Sequence, residues 1–140
     1  MYDWVKPENI IENYTSINEE MILVGINYIL KINNEKSPIE KLECLLKIDE
    51  IISNIEYLYG YKDNENNRNH ILLYLCVKAH PNFFNSDCEF IHLYIPNYYN
   101  HGRSNKILSD MKNVVYKLLN LSYSDIFRMT EEEYNNKMNL

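Results

Sequence analysis

The chain has 140 residues, the size of one ordinary domain, and its 46% of hydrophobic residues is enough for a buried core. With only 3 Gly and 4 Pro between long periodic segments, it favours an all-α fold over a β-sandwich or barrel. The net charge of −6 without a basic stripe argues against nucleic-acid binding, and neither a signal peptide nor a run long enough for membrane insertion is visible.

The first predicted helix follows a capping box at Ser16 and Glu19, where a hydroxyl and a carboxylate can satisfy free amides of the first turn. Apolar residues recur at helical spacing in the segment that follows, MILVGINYILKI. The predicted buried face consists of Ile22, Ile26, Ile29 and Leu30.

The second predicted helix has a stronger start signal. Ser37 is its expected cap, Pro38 takes the first helical position, where a missing amide costs nothing, and Glu40 closes a capping box. We predict a helix from Pro38 to about Leu58. Its apolar stripe is Leu42, Leu45, Ile48, Ile52 and Ile55, widened by Leu46, Ile51 and Leu58.

A third helix is predicted within the stretch DNENNRNHILLYLCVKAHP, residues 63–81, ending before Pro81, with the apolar run from Ile71 to Val77 as its buried part. Five polar residues, from Asn66 to His70, come immediately before that run. Such an entrance is unusual for a helix whose centre must be buried, so it needs an explanation beyond packing.

Three further helices complete the predicted order. They are expected to start at Ser86, at Arg103 or Ser104, and after Thr130. The apolar face of the long helix among them is Ile107, Leu108, Met111, Val114, Val115 and Leu118. About six helices joined by short loops predict one layered all-α bundle.

Motifs for covalent catalysis are absent from the sequence. It has no nucleophile elbow, phosphate loop or HExxH pattern, and its 4 His lie at no triad spacing. Asp49 and Glu50 are adjacent on a helix and point in different directions, so they are interpreted as part of a solvated face. These observations favour a binding or regulatory module over an enzyme.

The cysteines Cys44, Cys76 and Cys88 predict neither a disulfide framework nor a metal site. Their odd number and unrelated spacing are typical of buried, reduced thiols in a cytoplasmic protein. Cys88 and His92 stand four residues apart and would share a helix face, but no second pair accompanies them. We therefore predict no metal and no cofactor.

Several segments, in this order and spacing, resemble one family: WVKPEN, SPIEKLECL, YLCVKAHPNFFNSDCEFI, NVVYKLLNL and MTEEEYNNKM. The family is the vacuolar-protein-sorting-nine domain, the catalytic domain of Rabex- and Rin-type exchange factors for Rab GTPases of the Rab-five subfamily. The resemblance covers the chain from about Trp4 to Met138. It implies an all-helical layered bundle, here a single domain over residues 1–140, and a stand-alone module.

The resemblance also implies a mechanism and two contact regions. In the family, an acidic residue at the start of a helix enters the nucleotide site of the GTPase and disfavours Mg²⁺ and phosphate. A proline lies four positions on. A glycine and a tyrosine before a later long helix, with a threonine three residues further, contact the switch regions.

Carried over by the resemblance, the acidic position falls on Asn66 and the proline on His70. By the same route, Ile71 and Tyr74 join the GTPase-binding surface. The polar entrance would then stay exposed because it faces the partner.

The second contact region falls on residues 102–106 by the same comparison. Its glycine is Gly102, its tyrosine position is Arg103 and its threonine position is Lys106. The two contact regions together would form a groove for the GTPase. The two basic residues would make this side of it more basic than is usual in the family.

Asn66 carries no charge, so the acid can also come from a neighbouring position. Glu65 lies one residue upstream and Asp63 three, and a helix that starts one residue earlier would make Glu65 the acidic residue. Tyr98 or Tyr99 could replace the tyrosine in the same way.

Three functions remain open from the sequence. The first is an exchange factor for an endosomal Rab GTPase, weakened at Asn66 and Arg103, cytoplasmic and recruited to endosomal membranes. The second is a degenerate scaffold that binds a Rab GTPase without accelerating nucleotide release. The third is a helical interaction module unrelated to GTPases.

Overall fold

The computed structural model describes residues 4–11, 16–60, 65–80, 84–95, 102–120 and 127–139. Within these residues there is a short 3-10 helix, Pro7–Asn9, followed by six α-helices, and no strand. The helices are α1 (Glu19–Ile32), α2 (Pro38–Tyr59), α3 (Glu65–Ala79), α4 (Phe84–Tyr94), α5 (Gly102–Asn120) and α6 (Glu131–Met138). The all-α expectation is confirmed.

Helix α1 starts from a different cap than the sequence predicts. The side chain of Asn18, not Ser16, accepts a hydrogen bond from the amide of Glu20, and the Asn18 amide donates to the Tyr59 hydroxyl at 2.9 Å. Asn is as strong an N-cap as Ser, and here a contact from α2 also fixes its backbone. The predicted capping box at Ser16 is therefore wrong.

The buried face of α1 is rotated slightly from its predicted position. Ile22 and Ile29 are buried as expected, but Leu30 is 42% exposed. At 100° per residue, Leu30 lies about 80° around the helix from Ile22, at the edge of the stripe. Gly25 is buried on the opposite edge, and a Cβ built there would lie 3.0 Å from Leu75 Cδ1 of α3. A small residue at this position lets α1 approach α3 closely.

Helix α2 follows its prediction closely. Ser37 Oγ accepts from the Glu40 amide at 3.1 Å, and Pro38 is the first helical residue. All members of the predicted central stripe are fully buried: Leu42, Leu45, Ile48, Ile52 and Ile55. The helix ends at Gly60, whose φ of 77° is the left-handed conformation that glycine adopts without strain. Leu58, in the last turn, was predicted to belong to the core, but it is exposed.

Helix α3 is buried around its whole circumference over residues 71–77. Such a helix needs neighbours on every side. It packs against α1, α2 and α5, while α2 also contacts α4 and α5. Helices α3 and α5 thus both lie against α2, which determines the geometry of the site described below.

The later helices start close to their predicted positions. Helix α4 begins at Phe84, so Ser86 lies inside its first turn, and α5 begins at Gly102. Shifts of one or two residues are ordinary because helix ends fray. Thr130 Oγ1 accepts from the Glu133 amide at 3.2 Å, which confirms the predicted cap of α6.

The buried apolar residues form one cluster that includes the terminal segments. Trp4 packs on Phe127 with ring centroids 5.4 Å apart, and Phe127 stacks on Tyr134 at 5.6 Å. The Arg128 amide donates to the carbonyl of Asn9. The N-terminal segment and the region around α6 therefore support each other. None of the helices, over the residues described, is long and apolar enough to cross a membrane.

Candidate functional site

Asp49 of α2 contacts the beginnings of both α3 and α5. One of its oxygens pairs with the guanidinium of Arg68, in the first turn of α3. The other accepts a hydrogen bond from Arg103 Nε, in the first turn of α5, at 2.9 Å. Arg103 Nη2 also donates to the carbonyl of Leu46 at 3.0 Å. The two helix beginnings that the resemblance assigns to partner contact therefore lie side by side over α2.

Arg68 is the centre of the charge cluster. It is only 9% exposed, and its Nη1 lies 2.7 Å from Glu56 Oε1 and 3.3 Å from Ser53 Oγ. Its Nε lies 3.6 Å from Asp110 Oδ2 of α5. Burial lowers the pKa of Arg68, and the attraction of Asp110 opposes this. A guanidinium stays protonated under either influence, so the carboxylates around it serve as its counter-charge.

The outer side of the cluster is formed by two cations of α5. Arg103 and Lys106 each have side chains that are 51% exposed. Lys106 Nζ lies 3.8 Å from Asp110 Oδ1. Each cation is thus paired with a carboxylate that also contacts Arg68. This wall of the site is balanced in charge, whereas the sequence predicted a basic one.

Five members of this cluster were not identified from the sequence: Asp49, Ser53, Glu56, Arg68 and Asp110. Asp49 was interpreted as part of a solvated helix face, but its side chain is only 14% exposed. The signal was present in α2, because Asp49, Ser53 and Glu56 follow the spacing i, i+4, i+7 directly beside the buried stripe. Arg68 was expected to stay exposed in the polar entrance to α3. It is buried because it forms ion pairs with the carboxylates of Asp49 and Glu56.

The structure places the other predicted contact residues at different depths. His70 is partly buried at the start of α3, and Gly102 is exposed, with open space where a side chain would stand. Ile71 and Tyr74 lie in the core, with exposures of 0% and 5%. These two residues can support the surface from beneath but present almost no area of their own.

The candidates for the acidic position stay predictions. Glu65 and Asn66 are the first two residues of α3, but their side chains lie outside the part of the chain that the structure describes. Asp63, Tyr98 and Tyr99 also lie outside it.

A separate groove of about 310 Å³ lies between α1 and α2. Its lining residues are Tyr28, Lys31, Glu35, Glu40, Glu43, Cys44 and Lys47. Burial raises the pKa of the Cys44 thiol, so it is a poor nucleophile. The groove shares no residue with the charge cluster, and its lining mixes charges of both signs.

Comparison with known proteins adds an independent observation. The family model of the vacuolar sorting protein 9 (VPS9) domain matches residues 25–123. Vacuolar protein sorting-associated protein 9A of Arabidopsis thaliana is 30% identical over 96 residues, which cover 65% of this chain and 18% of the plant protein. The chain thus matches less than a fifth of that relative's length. The stretch matched by the family model contains every member of the charge cluster and both helix beginnings.

Proposed function

The chain belongs to the vacuolar sorting protein 9 (VPS9) domain family, and from that premise we propose that it is a guanine nucleotide exchange factor for a Rab-family small GTPase. VPS9 domains are exchange factors, which regulate GTPases and catalyse no covalent chemistry. We further propose a Rab-five-like GTPase of endosomes as the partner, and recruitment of the protein to endosomal membranes.

The observation that carries this proposal is the contact of Asp49 with Arg68 and Arg103. An exchange factor must present a preformed surface to switch regions that become ordered or disordered with the bound nucleotide. Buried Arg68 of α3 pairs with Asp49 of α2 and with Asp110 of α5, so these pairs hold the two helix beginnings in one fixed arrangement. Gly102 leaves the N-terminus of α5 open to a polypeptide segment of the partner.

The proposed mechanism is electrostatic. A GTPase holds its nucleotide through Mg²⁺ and a phosphate-loop lysine, and a polar group that enters this site competes for the lysine. Asn66, at the start of α3, can accept a hydrogen bond from a lysine but carries no charge. A charge-assisted hydrogen bond contributes about 1.5–3 kcal/mol and a neutral one about 1. The difference corresponds to about tenfold in rate, so we expect slow exchange unless Glu65 or another acid takes part.

The test is release of fluorescent GDP from a panel of Rab GTPases, with and without the protein. We expect faster release from at least one of them, together with stable binding to its nucleotide-free form. The substitutions Glu65→Ala and Asn66→Ala distinguish the two candidates, because only loss of the contributing side chain slows release. A panel in which no Rab GTPase binds would contradict the proposal and leave an unrelated interaction module.

A degenerate scaffold is the second candidate. It is favoured by Asn66 at the acidic position and by Arg103 at the tyrosine position, where its guanidinium is bonded to Asp49. Binding of a nucleotide-free Rab GTPase without faster release would select this alternative.

A further inference from the structure

We infer that Asp49 supplies the carboxylate that the partner meets in this site, and that Arg103 covers it until a cationic side chain of the partner takes its place. This inference rests on the proposed function, because it identifies which charge of this chain a GTPase would engage. It places this acid on α2, beneath the two helix beginnings.

The inner side of Asp49 has a permanent counterion. Arg68 is almost completely buried and is also bonded to Glu56 and Ser53, so it cannot move away from Asp49 without breaking several contacts. An ion pair with a buried guanidinium fixes the position of a carboxylate and compensates its charge on that side. Asp49 is therefore oriented before any partner arrives.

The outer side of Asp49 has a counterion that can be exchanged. Half of the Arg103 side chain is exposed, and it holds Asp49 through one hydrogen bond and the Leu46 carbonyl through another. An ion pair in contact with solvent contributes little to stability. A lysine or arginine of the partner can therefore replace it at low cost. The new pair would be shielded from water in the interface and so be stronger.

Asp110 of α5 has a similar arrangement, with Arg68 on its inner side and Lys106 on its outer side. Its side chain is 8% exposed against 14% for Asp49, so it lies deeper. Asp110 also belongs to α5 itself, whereas Asp49 contacts both α3 and α5. These two differences select Asp49 as the carboxylate within reach of a partner.

The experiment measures affinity for nucleotide-free Rab GTPase by calorimetry, alongside GDP release, for four proteins and a control. Arg103→Gln uncovers Asp49 and is expected to tighten binding about fivefold, which is the scale of one exposed ion pair. Asp49→Asn is expected to weaken binding about tenfold. In the double variant, Arg103→Gln should bring no gain, because the carboxylate it uncovers is gone. The control is Lys47→Gln, which removes an exposed charge of α2 paired with Glu50 at 3.6 Å.

The results test the inference separately from the proposed function. A gain from Arg103→Gln that persists in the Asp49→Asn background reflects mere loss of positive charge and overturns the inference. No gain from Arg103→Gln overturns it as well, even if Asp49→Asn unfolds the protein, because Arg103 is exposed and its substitution leaves the core intact. In both cases binding by the unsubstituted protein leaves the proposed function standing. If the unsubstituted protein binds no Rab GTPase, the proposed function and this inference both fail.

Discussion

Lys41 and Asp87 form a buried ion pair between α2 and α4, with Nζ 2.8 Å from Oδ1. The side chains are only 8% and 11% exposed. The same ammonium group donates to the carbonyl of Ile32 at the end of α1, also at 2.8 Å. One lysine thus joins the end of α1 to α2 and α4.

Substitution Lys41→Met should lower the free energy of unfolding by about 3–5 kcal/mol, because it leaves the Asp87 carboxylate buried without a counterion. Urea unfolding followed by circular dichroism measures this. The matched control is Lys47→Met, whose pair with Glu50 is exposed and should change stability by about 1 kcal/mol or less. Equal losses for both variants would contradict the assigned role of the buried pair.

Substitution Arg68→Met should also be strongly destabilising, by about 3–5 kcal/mol, because Asp49, Glu56 and Asp110 would face one another without their shared cation. Adding Glu56→Gln and Asp110→Asn removes two of these charges and should restore most of the loss. The measurement is again denaturant unfolding. If the triple variant is less stable than Arg68→Met alone, the loss arises from packing and not from charge.

Substitution Asn66→Asp should accelerate GDP release about tenfold if the surface at the beginnings of α3 and α5 docks a GTPase. The reason is that it restores a charge at the first turn of α3. The control is Asn27→Asp, which adds the same charge to the exposed face of α1. Release rates with each protein at equal concentration provide the comparison. An unchanged rate for Asn66→Asp with binding retained would mean that residue 66 does not reach the nucleotide site.

Stability should fall at alkaline pH because of the buried thiols. Burial raises the pKa of Cys88 from its ordinary value of 9.0 to about 12, and it raises the pKa of Cys76 as well. The folded protein therefore retains protons that the unfolded chain releases, so this contribution is complete below pH 9 and is lost as the pH rises towards 12.

Urea unfolding at pH 8 and pH 10.5 measures this effect, with Cys88→Ala as the comparison. The two proteins share every other titratable group, so the difference between their losses isolates one thiol. We expect the smaller loss for Cys88→Ala. The same loss in both proteins would exclude a contribution from Cys88.

The helices and their buried faces were predictable because they depend on neighbours three and four residues apart. The stripe of α2 from Leu42 to Ile55 and the caps at Ser37 and Thr130 are of this kind. Leu30 and Leu58 were misplaced because they lie at the edges of stripes, where exposure depends on where the neighbouring helix ends.

The charge cluster could not be predicted in the same way. Asp49 pairs with Arg103 of α5, which is 54 residues away, and with Arg68 of α3, which is nearer in the chain. Pairings of this type follow from how α2, α3 and α5 cross, which local periodicity does not contain. The assignment of the acidic position to Asn66 or Glu65, and of a single domain to residues 1–140, stay predictions.

The aromatic contacts of Trp4 with Phe127 and Tyr134 bear on how the protein should be handled. Both flanks lie outside residues 25–123, the stretch that matches the family. A chain shortened to residues 25–123 would lose both sides of this aromatic contact. It would also lose the hydrogen bond that Lys78 Nζ donates to the Val5 carbonyl at 3.2 Å. Proteolysis at either flank should therefore release the other, and expression boundaries are best drawn to keep both.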